Sequence, residues 1–168
     1  MPLDAAIDAG RVVLGIGDIQ ARRAERGILI THALGSCLGI TAYDSRARVG
    51  GMIHAQLPLS QLNAEMARGY PARFVDLGIP LLIKSVIDLG ADRRNLRIVV
   101  AGAANMIATT NDLFNIASRN ITVMRKIFWQ MGVLLAGEDV GGTNPRTMTL
   151  RFESGDTLIE SQGRHYQL

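Results

Sequence analysis

Apolar positions form short β-branched runs through the first third of the chain and switch to three- and four-residue spacing further on. Residues 11–16 (RVVLGI) and 27–33 (GILITHA) are compact runs bounded by glycine or polar residues, which predicts two strands of a core sheet. Residues 38–43 (LGITAY) and 48–55 (RVGGMIHA) flank Asp44-Ser45-Arg46-Ala47, whose composition suits a turn, so a β-hairpin is expected there. Residues 56–73 hold two prolines, a glycine and mixed polar residues and read as a loop or a short irregular helix. Between 74 and 89, Phe74, Leu77, Leu81, Leu82, Val86 and Leu89 recur at helical spacing before the stop at Gly90. Pro80 fits that helix only near its first turn. Residues 96–101 (LRIVVA) predict a further strand, and 116–131, closed by Gly132, a second helix. Strands over 133–140, 146–153 and 157–162 complete the chain, the last two joined at Ser154-Gly155-Asp156. The expected fold is α/β (α+β), with a mainly antiparallel sheet and two principal helices.

Length supports a single domain over residues 1–168, since two full domains would be cramped. The longest stretch free of Asp, Glu, Lys and Arg, residues 27–43, contains Thr31, His32, Ser36 and three glycines and is shorter than a membrane span of about 20 residues. The formal charge of +3 comes from scattered arginines, with no like-charge block and few aromatics, which argues against nucleic acid as a partner. The N-terminal stretch carries Asp4 and Asp8 and has no basic segment leading into an apolar core, so no secretory signal is expected. One cysteine forms no internal disulfide, and a reducing, cytoplasmic location suits it.

That cysteine concentrates the chemistry. A lone cysteine among apolar residues is ordinarily a small buried hydrophobe. Cys37, however, sits in Gly35-Ser36-Cys37-Leu38-Gly39, just after a strand, where a sharp turn can expose the sulfur and aim backbone N–H groups of Gly35 and Ser36 at an oxyanion. A turn centred between Ser45 and Arg46 places Cys37 directly opposite His54, and opposed Cβ atoms lie about 4.5–5.5 Å apart, within reach for proton transfer. Gly50 and Gly51 suggest that another backbone approaches closely there. Thr31, on the preceding strand, could orient the imidazole; His32 points to the other face of a regular strand. Cys37, His54 and a third ligand could also form a metal site, but no CxxC, HxxxH or acidic cluster supports one. Gly15-Ile16-Gly17 is followed by Gln20 where a third glycine would be needed, so a dinucleotide loop is not expected.

These blocks resemble the CheD family of chemoreceptor glutamine deamidases. The resemblance rests on Thr31-His32-Ala33-Leu34-Gly35-Ser36-Cys37, Asp44, Val49-Gly50-Gly51-Met52-Ile53-His54 and Leu57-Pro58. It extends through Gly102-Ala103-Ala104-Asn105-Met106, Arg119-Asn120-Ile121, Asp139-Val140-Gly141-Gly142 and Arg146. It implies a layered sandwich related to bacterial toxin deamidases, with Cys37 as nucleophile, His54 as base and Thr31 as orienting residue, needing no cofactor or metal. The implied substrates are glutamines on the cytoplasmic helices of methyl-accepting chemoreceptors, with glutamate methyl esters as a second substrate type and a CheC-type chemotaxis phosphatase as a candidate partner. Ala103, Ala117 and Pro145 stand where the family commonly has glycine, and all three are expected to lie away from the cysteine block. The competing readings are a non-catalytic adaptor with Cys37 buried, and a redox-sensing thiol.

Overall fold

A computed structural model describes residues 10–106 and 115–168, so the expectation about the N-terminal signal falls largely outside the described residues. The expected layered α+β sandwich is present: among the described residues the strands, mainly antiparallel, divide into two five-stranded sheets. The elements are β1 (Arg11–Leu14), β2 (Ile19–Arg23), β3 (Ile28–Leu34), β4 (Leu38–Asp44), β5 (Val49–Ala55), α1 (Ala64–Gly69), α2 (Val75–Asp88), β6 (Arg97–Gly102), α3 (Ile116–Met131), β7 (Gly137–Val140), β8 (Arg146–Arg151), β9 (Thr157–Ser161) and β10 (Arg164–Gln167). Sheet one runs β1-β3-β8-β9-β10 and sheet two β2-β5-β4-β6-β7; within them only β1–β3 and β6–β7 pair in parallel.

Three layers result. Helices α2 and α3 cover the outer face of sheet two, where Ile79, Leu82, Val86, Met124 and Phe128 meet Ile40, Ile53, Ile98 and Val100. The other face of sheet two packs against sheet one through Leu29, Leu34, Met52, Val99, Met148, Leu150 and Phe152. Both helices lie close to their predicted bounds. Pro80 sits in the second turn of α2, deeper than expected, but on the exposed side, where water can take the carbonyl it leaves unbonded. Residues 56–73 fold into two 3₁₀ turns around α1.

The hairpin forms, but with a register two residues from the expected one: Gly39, not Cys37, is opposite His54. Asp44 explains the shift. It pairs with Val49 as the last strand residue, and its Oδ1 accepts from the Arg46 and Ala47 N–H groups at 2.9 and 3.1 Å, while Arg48 takes a left-handed φ of 55°. The four-residue loop is therefore Ser45 to Arg48, one position later than the composition suggested. A two-residue slip preserves the face on which each side chain lies.

Candidate active site

The site sits where the chain crosses from sheet one to sheet two. β3 ends at Leu34 and β4 begins at Leu38, so Gly35, Ser36 and Cys37 alone make the crossing. Cys37 belongs to the cluster between the sheets and is 8 % exposed. Its carbonyl accepts from Ala103 N–H at 2.7 Å, and that of Gly35 from Ala104 N–H at 2.7 Å. Gly102, at φ 112°, must be glycine, because a Cβ there would lie 2.3 Å from the Cys37 carbonyl oxygen. Arg146 fixes this support from below, donating to the carbonyls of Gly102 and Gly141 while pairing with Asp139 at 3.0 Å. Ala103 thus lies against the cysteine rather than away from it, and it holds a left-handed φ of 49°.

His54 is 3 % exposed and Thr31 is fully buried. Their side chains meet across the two sheets, Thr31 Oγ1 lying 2.7 Å from His54 Nδ1. The tautomer follows from proton count. Thr31 has one hydroxyl proton and donates it to the Leu14 carbonyl at 2.9 Å, so Oγ1 must accept from Nδ1–H. The lone pair of the neutral ring is then on Nε2, which is buried and has no hydrogen-bond partner among the described residues. The His54 backbone is held in turn, its N–H donating to Asp18 and its carbonyl accepting from Gly17.

Gly39, the residue opposite His54, is closely packed: a Cβ there would meet Leu34 and Met148 at 2.8 Å. Burial pushes the Cys37 thiol above its ordinary pKa, with the nearby Arg73 charge pulling the other way. Burial also lowers His54 to about 4, against a smaller upward pull from Asp18. The resting pair is therefore a neutral thiol and a neutral imidazole.

The turn residues behave differently from expectation. Gly35 N–H is committed to the Ala33 carbonyl at 2.9 Å, so Gly35 does not point a free donor at an oxyanion. The close approach expected at Gly50 and Gly51 occurs at Gly51, where a Cβ would meet the Gln20 carbonyl oxygen at 2.9 Å and Leu82 of α2 at 2.8 Å. Asn120, which local sequence does not single out, reaches the site: its Nδ2 donates to the Ser36 carbonyl at 2.9 Å and the Gln56 carbonyl at 3.0 Å. Its signal in the sequence is an amide in the buried stripe Ala117, Asn120, Met124, Phe128. Beside the crossing, Asn63, Glu65, Met66, Gly69, Tyr70 and Arg73 line an open groove of about 430 Å³.

The family described as CheD chemotactic sensory transduction matches residues 56–161, and the chain belongs to that family. A relative from Solibacter usitatus is 41 % identical over 158 residues, covering 94 % of this chain and 93 % of its own. One from Syntrophus aciditrophicus is 40 % identical over 154 residues, 92 % and 96 % of the two chains, and one from Thermococcus kodakarensis 40 % identical over 145 residues, 86 % and 88 %. The Solibacter and Thermococcus proteins carry the name "Probable chemoreceptor glutamine deamidase CheD". Among the described residues, no helix is long and apolar enough to cross a membrane.

Proposed function

We propose that this chain is a protein-glutamine deamidase acting on chemoreceptors in the cytoplasm, with Cys37 as nucleophile, His54 as general base and Thr31 as the residue that sets the imidazole tautomer. The observation that carries this reading is the buried Nε2 of His54, without a hydrogen-bond partner among the described residues and held in its basic form by the Thr31 hydrogen bond. An apolar site built for packing alone would gain nothing from that unmet acceptor.

The chemistry runs in two halves. Nε2 takes the Cys37 proton as sulfur attacks the glutamine carboxamide carbon, and backbone N–H groups of Ser36 and Cys37 stabilise the oxyanion. The imidazolium returns its proton to the departing ammonia, leaving a thioester. Water, deprotonated by the same Nε2, then releases glutamate and restores the thiol. Glutamine and water are consumed; glutamate and ammonia are produced.

The groove lined by Met66, Tyr70 and Arg73 supplies a docking rim for a receptor helix, with Arg68 exposed nearby. Rim charges govern encounter rate and salt sensitivity more than the chemical step. The test is incubation with a helical receptor fragment, read by intact mass. The fragment should gain the mass of an amide-to-acid exchange, more slowly at high salt, and Cys37→Ser should abolish the gain while retaining the fold. An adaptor with a buried Cys37 would bind the fragment and leave its mass unchanged.

Turnover should also be level from neutral pH down to about pH 5 and fall as pH drops through about 4, because protonated His54 is no longer a base. Rates fitted between pH 4 and 8 would contradict this if the fall centred near the ordinary histidine value. Stability has the same sign. The unfolded chain takes up the His54 proton near its ordinary value and the folded chain only near 4, so stability is full at neutral pH and declines between those values.

A further inference from the structure

The β4–β5 ladder ends one residue short of Cys37. Its last pair is Leu38 with Ala55, and the next pair would have been Cys37 with Gln56. Instead Gln56 turns away, its N–H donating to Arg73, and the amide of Asn120 enters the gap from α3. One Nδ2 hydrogen goes to the Ser36 carbonyl and the other to the Gln56 carbonyl. The residue preceding the thiol and the residue two beyond the imidazole are therefore joined through a single side chain that is fully buried.

We propose that Asn120 is a positioning residue of the reaction, setting the separation of Cys37 Sγ from His54 Nε2 and the direction of the Cys37 N–H. This rests on the deamidase reading for its kinetic consequence and on geometry alone for its structural one. The Ser36–Cys37 peptide is planar and trans, so holding its carbonyl toward Asn120 turns the Cys37 N–H to the opposite side. The amide cannot be reversed without setting Oδ1 against two carbonyl oxygens. In the orientation it adopts, Oδ1 is buried with no partner among the described residues. The fold tolerates an unmet acceptor in the helix stripe where an aliphatic residue would satisfy packing, and what it retains in exchange is the link between the two strand ends.

The experiment compares Asn120→Ala and the milder Asn120→Ser, which keeps one donor, with Met124→Ala, a core truncation one turn along the same buried stripe. Each full-length variant is checked for folding by circular dichroism. The single cysteine is alkylated with iodoacetamide across pH, and kcat and KM are measured on the receptor fragment. Asn120→Ala should lower kcat by about 10- to 100-fold with KM little changed, the scale expected of misplaced reacting groups, with Asn120→Ser in between. Its alkylation profile should coincide with that of His54→Ala, whereas Met124→Ala should keep the wild-type profile. A wild-type profile in Asn120→Ala, or in Asn120→Ser should the alanine variant not fold, overturns the proposal. So does the same altered profile in Met124→Ala, which would make the effect one of helix packing. If the wild-type chain leaves the fragment unchanged, the deamidase reading fails, and the alkylation profiles still decide the role of Asn120.

Discussion

Strands β4 and β5 present two unlike faces. Toward the helices they offer Leu38, Ile40, Ala42, Val49, Ile53 and Ala55, an aliphatic surface with no polar side chain in it. Toward the other sheet they offer Gly39, Thr41, Tyr43, Met52 and His54, where Thr41 bonds Thr157, Tyr43 bonds the Phe152 carbonyl and His54 bonds Thr31. The helix-facing side is held by area removed from water and tolerates imprecision; the inter-sheet side is held partly by hydrogen bonds with fixed donors and acceptors. The proposed chemistry uses the second, where a buried imidazole is given a defined tautomer.

The contrast can be broken most severely at His54. Replacing it with alanine removes the proposed base and proton donor, and should lower turnover on the receptor fragment by about 100- to 10,000-fold, measured as initial rates at pH 7. On the helix-facing side, Ile79→Ala should lower unfolding free energy by about 2–5 kcal/mol in a denaturant titration and leave kcat unchanged at temperatures where the variant is folded. Thr31→Val keeps shape and loses the acceptor for Nδ1–H; kcat should drop by about tenfold or somewhat more, while Thr31→Ser restores most of it. A loss equal to that of His54→Ala would show that Thr31 does more than orient the ring. The smallest effect is expected at Ala103, whose left-handed backbone costs about 1 kcal/mol for a residue with a Cβ. Ala103→Gly should therefore change the midpoint of thermal unfolding little, with that relief set against the entropy glycine adds to the unfolded chain.

The two faces also differed in how far the sequence disclosed them. The helix-facing layer was legible from periodicity: α3 matches its predicted bounds, and α2 differs by one residue at each end. The Thr31, Cys37 and His54 positions were legible as residue types near strands, but their mutual register depended on Asp44, which acts as a strand residue and a turn-capping side chain at once. Composition alone does not reveal that double role. β2 (IQARR) and β10 (RHYQ) are edge strands, half-buried or exposed; β2 offers only Ile19 and Ala21 to the core and β10 is exposed throughout, so neither carries a strong apolar run. Asn120 was hidden for a different reason: the carbonyls it serves lie 84 and 64 positions away, and a buried amide in a helix names no partner.

The three-residue crossing from β3 to β4 has a mechanical consequence. Thr31 belongs to one sheet and His54 to the other, with the thiol on the short strap between them. Any sliding of one sheet over the other must stretch the Thr31–His54 hydrogen bond and swing the strap, so under the proposed mechanism turnover serves as a gauge of layer alignment. Side chains wedged between the sheets, such as Met148 and Phe152, act as its spacers. A repacked interior that still melts at the original temperature would nonetheless register as a slower enzyme.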